Sequence, residues 1–229
     1  LLGLLNSSVA CFWLKQVCFP KGGDQVGGEG ARVRKTLWDE RYAFNSTNVA
    51  DFPLIDTRPL DLARRLDTLS SERAATLPDA LLREGQPLPI RATLDAARNQ
   101  AESLRSRMIA LQEELDWRCY RLYGLLPEGA GELEQPNPPK VRLGERAFEI
   151  VLARRMAAGK ESTTWFERHG ATPITEVPAH WPADYRAVVE RRIALIGADR
   201  NIGLIERPEY KRRWNTPSWA EQEQTALRD

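Results

Sequence analysis

Six basic side chains fall within the first 41 residues: Lys15, Lys21, Arg32, Arg34, Lys35 and Arg41. They are interleaved with Trp13, Trp38 and Tyr42, and they bracket the run from Gly22 to Gly30, which holds five glycines. That composition makes a flexible loop. A flexible loop carrying Lys and Arg is able to follow a groove and neutralise phosphates. These six side chains are the candidate DNA contacts. Asp24, Glu29, Asp39 and Glu40 dilute the charge, so the other reading is an ordinary solvated loop. A second basic cluster is Lys211, Arg212 and Arg213, with Arg191, Arg192, Arg200 and Arg207 upstream. It reads either as a phosphate-following face or as a charged helix face with internal pairs.

Other chemistries find little support. Three cysteines (Cys11, Cys18, Cys119) and two histidines (His169, His180) show no metal-ligand spacing. The unpaired cysteine count fits a reducing cytoplasm rather than a disulfide scaffold. No phosphate-cradling glycine motif, nucleophile elbow or Ser-His-Asp order is present. Asn137-Pro138-Pro139 is followed by Lys140. A flipped base needs an aromatic platform at that fourth position, so the stretch reads as part of a linker. No catalytic residue and no metal ligand is assigned. Lys plus Arg number 33 and Asp plus Glu 32, so any DNA contact must come from a local patch.

The elements that would position these groups read as mainly α. A helix with Leu4, Leu5, Val9, Phe12 and Trp13 on one face ends at Phe19-Pro20. Val33, Leu37, Tyr42 and Phe44 suggest short strands. Residues 57–83 read as a helix with Leu62, Leu66 and Leu69 inward, Thr57 as its cap, and Ser70 or Pro78 as a break. From Leu94 to Leu115 apolar residues recur in alternating steps of three and four, a heptad seam. A short turn between these two helices predicts an antiparallel hairpin, and Gly124 stops it. Short helices follow over 145–158, near Thr163 to Gly170, after Pro182 and after Pro208. Residues 215–229 read as frayed. The chain thus divides into 1–56, a part with irregular α+β structure; 57–126, a helical hairpin spacer; 127–143, a linker; and 144–229, a C-terminal helical region. The apolar opening is interrupted by Asn6, Ser7, Ser8, Lys15 and Gln16 and lacks basic residues before it. It therefore reads as a buried helix, with no membrane span and no signal peptide.

Three stretches carry a family resemblance: Leu1 to Ser8 with Cys11-Phe12-Trp13-Leu14-Lys15-Gln16; Glu114-Leu115-Asp116 with Tyr120 to Leu125; and Trp165 to Gly170 with Ile205 to Trp214. Together they resemble the specificity part of adenine-specific DNA methyltransferases of the type IIG restriction-modification kind and of the PglX-like enzymes of BREX and Pgl phage defence. The resemblance implies that residues 1–56 are the end of a target-recognition domain, and that the chain recognises double-stranded DNA within an enzyme that moves a methyl group from S-adenosylmethionine to adenine N6. It also implies that the cofactor-binding glycine motif and the Asn-Pro-Pro-aromatic motif belong to an N-terminal catalytic domain upstream of Leu1. These 229 residues are then not catalytic alone and carry no cofactor of their own. The alternative is a helical adaptor that grips a partner protein and leaves DNA alone.

Overall fold

The computed structural model describes residues 1–20, 42–82 and 89–228. The chain is mostly helical, and among the described residues the only sheet is an antiparallel pair, β1 (Phe19–Pro20) with β2 (Tyr42–Ala43), in the register Phe19 to Ala43. The opening run forms two helices, α1 (Leu2–Leu5) and α2 (Ser8–Val17), where one was expected. Ser7 makes the break. Its side chain accepts a hydrogen bond from Ala10 N, 3.3 Å away, which caps α2 and stops α1 running through. A short helix α3 (Ser46–Ala50) follows, capped by Asn45.

The expected hairpin is present. Its arms are α4 (Leu60–Ala74) and α6 (Arg91–Leu122), with α5 (Pro78–Leu81) between them. Thirty-two residues make α6 about 48 Å long. The arms run antiparallel: Asp61 near the start of α4 pairs with Arg118 near the end of α6 at 3.7 Å, while Arg73 near the end of α4 lies in the field of Arg105 and Glu102. The seam residues Ala97, Ala101, Leu104, Met108, Leu111 and Leu115 are buried, as are Leu62 and Leu69 opposite. Pro59 rather than Thr57 occupies the cap position of α4. Gly124 ends the long helix with φ +66°, a backbone that glycine adopts without a Cβ penalty.

The C-terminal part is α7 (Ala147–Ala157), α8 (Trp165–His169), α9 (Ala183–Ala198), α10 (Arg200–Ile205), a 3-10 turn at Pro208–Tyr210, and α11 (Trp219–Ala226). The last helix corrects the frayed reading of 215–229. Ser218 and Glu221 form a reciprocal capping box, and Trp219 buries itself against Ala97 and Ala101 of α6 with Leu77 and Leu81.

Among the described residues, the main core runs from Leu4 to Trp214 and takes residues from α1, α2, both hairpin arms and the C-terminal helices α7 to α10. The stretch from 127 to 143, of linker composition, is pinned to it. Leu133 and Val141 are buried, and Val141 N donates to Ser106 O at 3.2 Å. Among the described residues, no helix is long and apolar enough to cross a membrane.

Candidate nucleic-acid interface

Of the six candidate contacts, Lys15 is described; Lys21, Arg32, Arg34, Lys35 and Arg41 lie outside the described residues. Lys15 sits in the last turn of α2 and is half-buried. Its Nζ donates to Glu209 O at 2.6 Å and lies 5.1 Å from the centre of the Tyr42 ring and 5.9 Å from that of Tyr210. Phe12, one turn earlier, meets the Tyr210 ring edge-on at 5.0 Å. Lys15 therefore ties α2 to the 3-10 turn, with Tyr42 of β2 beside it.

That cluster divides when placed in space. Lys211 and Arg192 are buried and serve the core. Arg207 pairs with Glu209 at 2.8 Å, and the guanidinium of Arg212 lies 4.6 Å above the Trp214 ring. Of the seven cations read as one face, two thus belong to ion pairs inside the fold, where no phosphate reaches them.

The group at the centre was not anticipated from the residues. Lys211 Nζ lies 2.8 Å from Glu206 Oε1, 2.9 Å from Asp116 Oδ2 and 3.5 Å from Glu113 Oε1, all four side chains at 2 % exposure or less. Tyr120 donates its hydroxyl to the same Glu206 oxygen at 2.5 Å. Asp116 also accepts from Ser8 N and Ser8 Oγ, both at 2.8 Å. A carboxylate at the N-terminus of α2 complements the helix dipole and satisfies an orphan amide. Burial alone would lower the Lys211 ammonium; Asp116, Glu113 and Glu206 together hold it above its ordinary value. Burial pushes the Glu113 carboxyl up to about 7 against the opposing pull of Lys211. Two further buried pairs flank this centre. Arg192 meets Glu114 at 2.7 Å and also donates to Leu133 O. Arg146 meets Glu149 at 2.7 Å and donates to Arg212 O at 3.0 Å. Trp165 Nε1 and Gly144 N also donate to Glu149, and against the cost of burial the Arg146 charge and these bonds keep its carboxyl below its usual range.

In chemical terms this centre is a brace. Three carboxylates converge as metal ligands do, but the Lys211 ammonium occupies the position of the cation, and among the described residues no group of His, Cys, Asp and Glu is arranged to hold a metal ion. The Cys119 thiol, pushed up to about 12 by burial first and Asp116 second, is not a nucleophile near neutral pH. The one sequence signal for the brace was the run Gln112-Glu113-Glu114-Leu115-Asp116, strongly polar within an otherwise apolar helix segment.

Comparisons with known proteins identify relatives of the chain. A family model described as a domain of unknown function, DUF7008, matches residues 108–229. That span begins in the all-round buried half of α6 and contains every charged member of the brace. The chain is also 54% identical over 231 aligned residues to the adenine-specific methyltransferase PglX of Streptomyces coelicolor (strain ATCC BAA-471 / A3(2) / M145). The match takes in 100% of this chain and 19% of that protein. No solved structure matches the chain. The PglX-like resemblance carried by Leu1 to Lys15, Glu114 to Leu125 and Trp165 to Trp214 thus extends over all 229 residues, and the chain belongs to the DUF7008 family.

Proposed function

We propose that this chain is the part of an S-adenosylmethionine-dependent adenine-N6 DNA methyltransferase that recognises and positions double-stranded DNA, acting in the cytoplasm in phage defence or restriction-modification. The observation that carries the reading is the 54% identity, along the whole chain, to a protein named as an adenine-specific methyltransferase. In this reading the methyl transfer itself belongs to an N-terminal catalytic domain of the same polypeptide. Two clefts of the described residues carry Arg and Glu among their lining side chains. No step of the transfer is assigned to them.

The fold supports a positioning role. The long α6 is clamped at its C-terminal half by buried ion pairs from Glu113 and Asp116 to Lys211 and from Glu114 to Arg192. A stiff rod so held keeps α2 at a fixed place relative to the C-terminal helices. Duplex binding by the full enzyme then falls steeply with salt, because each neutralised phosphate releases counterions. Replacing Arg32, Arg34 and Lys35 together by Ala is expected to make the plot of log affinity against log salt shallower by about 2.7, at about 0.9 per lost phosphate contact. Identical binding at several salt concentrations would remove that loop from DNA contact. Salt-tolerant association with a second protein, without duplex binding, would favour the adaptor reading.

A further inference from the structure

The cations of the C-terminal half are mostly committed to partners within the chain. Arg146, Arg192 and Lys211 lie in buried ion pairs. Arg154 donates to Thr175 O at 2.6 Å and Arg191 to Glu132 O at 2.9 Å. Two cations differ. Lys140 and Arg142 are exposed, and neither side chain makes a hydrogen bond or ion pair with a described residue.

Their placement follows from the residue between them. Val141 is 1 % exposed and its N–H donates to Ser106 O of α6, so the strap is fastened at that point. The two flanking side chains are left at the surface. They line a cleft of about 790 Å³ between α6, the strap and the loop before α9, together with Arg105, Ser106, His180 and Trp181. The cleft has a firm wall: Trp181 is buried and packs edge-on against Tyr185 at 5.1 Å. The strap is also held close to the opposite loop, since a Cβ on Gly144 would lie 2.4 Å from Thr172 O.

The acids of the cleft only partly offset its cations. Glu102 pairs with Arg105 at 2.9 Å, and Glu145 accepts from the backbone N–H of Arg142 at 2.7 Å, so its charge remains. The lining holds Arg105, Lys140 and Arg142 against Glu102 and Glu145, a surplus of positive charge beside serine hydroxyls and an aromatic floor. That chemistry suits a phosphodiester: cations for the charge, and hydroxyl or imidazole donors for the oxygens. We propose that this cleft holds the backbone of duplex DNA, with Lys140 and Arg142 each neutralising a phosphate. The inference rests on the DNA-recognition reading above and adds a second contact surface, far along the sequence from the first basic loop.

The test measures binding of the full-length protein that carries these 229 residues to a fluorescein-labelled 20-base-pair duplex across a salt series, for the wild type and for the Lys140→Gln/Arg142→Gln variant. The expected result is at least a tenfold loss of affinity at low salt and a slope shallower by about 1.8, from two lost phosphate contacts at about 0.9 each. Both side chains are exposed and unpaired, so the variant is expected to melt with the wild type. A second readout needs no variant: bound duplex is expected to protect Lys140 of the wild type from acetylation. Wild-type binding with an unchanged slope in the variant, or DNA-bound protein with Lys140 fully acetylated, overturns the cleft and leaves the DNA reading standing. No duplex binding by the wild type at any salt overturns both.

Discussion

Lys211 Nζ lies 2.9 Å from Asp116 Oδ2, and the same carboxylate group accepts two hydrogen bonds from Ser8. One side chain in the C-terminal half of the long helix thus joins the first part of the chain to its C-terminal segment. The helix brings its acids to this point, the tail brings the base, and α2 brings the amide that completes the set.

Removing the base leaves Asp116, Glu113 and Glu206 facing one another without a cation. Deleting one partner of a buried ion pair costs about 3–5 kcal/mol, so Lys211→Met is expected to lose about that much in urea unfolding at pH 7. A loss below about 1 kcal/mol would show that the cluster relaxes into solvent and that the brace is dispensable.

The pH dependence of stability has a defined sign at Glu113. Its carboxyl titrates at about 7 in the fold against a reference of 4.5, through burial first, opposed by Lys211 and Arg146 and reinforced by Glu206 and Asp116. The folded state therefore keeps a proton that the unfolded state releases. Stability contributed by that proton is complete below pH 4.5 and is lost as pH rises to about 7. Glu113→Gln keeps the neutral shape and drops the titration. Its urea midpoint is expected to move above the wild-type midpoint at pH 8 and to approach it at pH 5. A constant gap between the two proteins across that range would assign the dependence to another group.

Gly144 is the tightest backbone position described. Its φ is +93°, and a Cβ would stand 2.4 Å from the carbonyl oxygen of Thr172. A side chain there is strained by about 1–3 kcal/mol on conformation alone, and the clash with backbone adds to it. Gly144→Ala is expected to lower stability by about 2 kcal/mol or more, read as an earlier thermal midpoint. An unchanged midpoint would mean that the strap moves away from the loop at little cost.

Several elements were legible from residue types because their signals are local. The alternating three-and-four spacing from Leu94 to Leu115 marks one face of α6, and Gly124, Gly170, Pro182 and Pro208 punctuate helices where turn chemistry demands it. The all-round burial of the same helix beyond Met108 was not legible. Periodicity reports one apolar face, whereas Glu113, Glu114 and Asp116 are tolerated inside only because partners arrive from Arg192, Lys211 and Ser8, each remote in sequence. The same reason hides the docking of α11. Trp219 looks isolated until Ala97 and Ala101, small residues in the seam, leave room for its ring. For the interface, residue types pointed to cations but did not say which would be used up inside: Lys211 and Lys140 look alike in a string of letters, and only the carboxylates around the first separate them.

The bonds to Asp116 span 108 residues to Ser8 and 95 to Lys211. A chain emerging from the ribosome makes α2 first, then the acid-bearing helix, and the base last. Until the stretch around Lys211 has been synthesised, Asp116, Glu113 and Glu206 have no ammonium to meet, and the helix that bears the first two has no reason to enter an apolar interior. The final consolidation of this fold therefore waits for nearly the whole chain, and its rate is set by long-range closure. Nascent chains stalled before residue 211 are expected to stay open to protease, and those stalled well past it to resist.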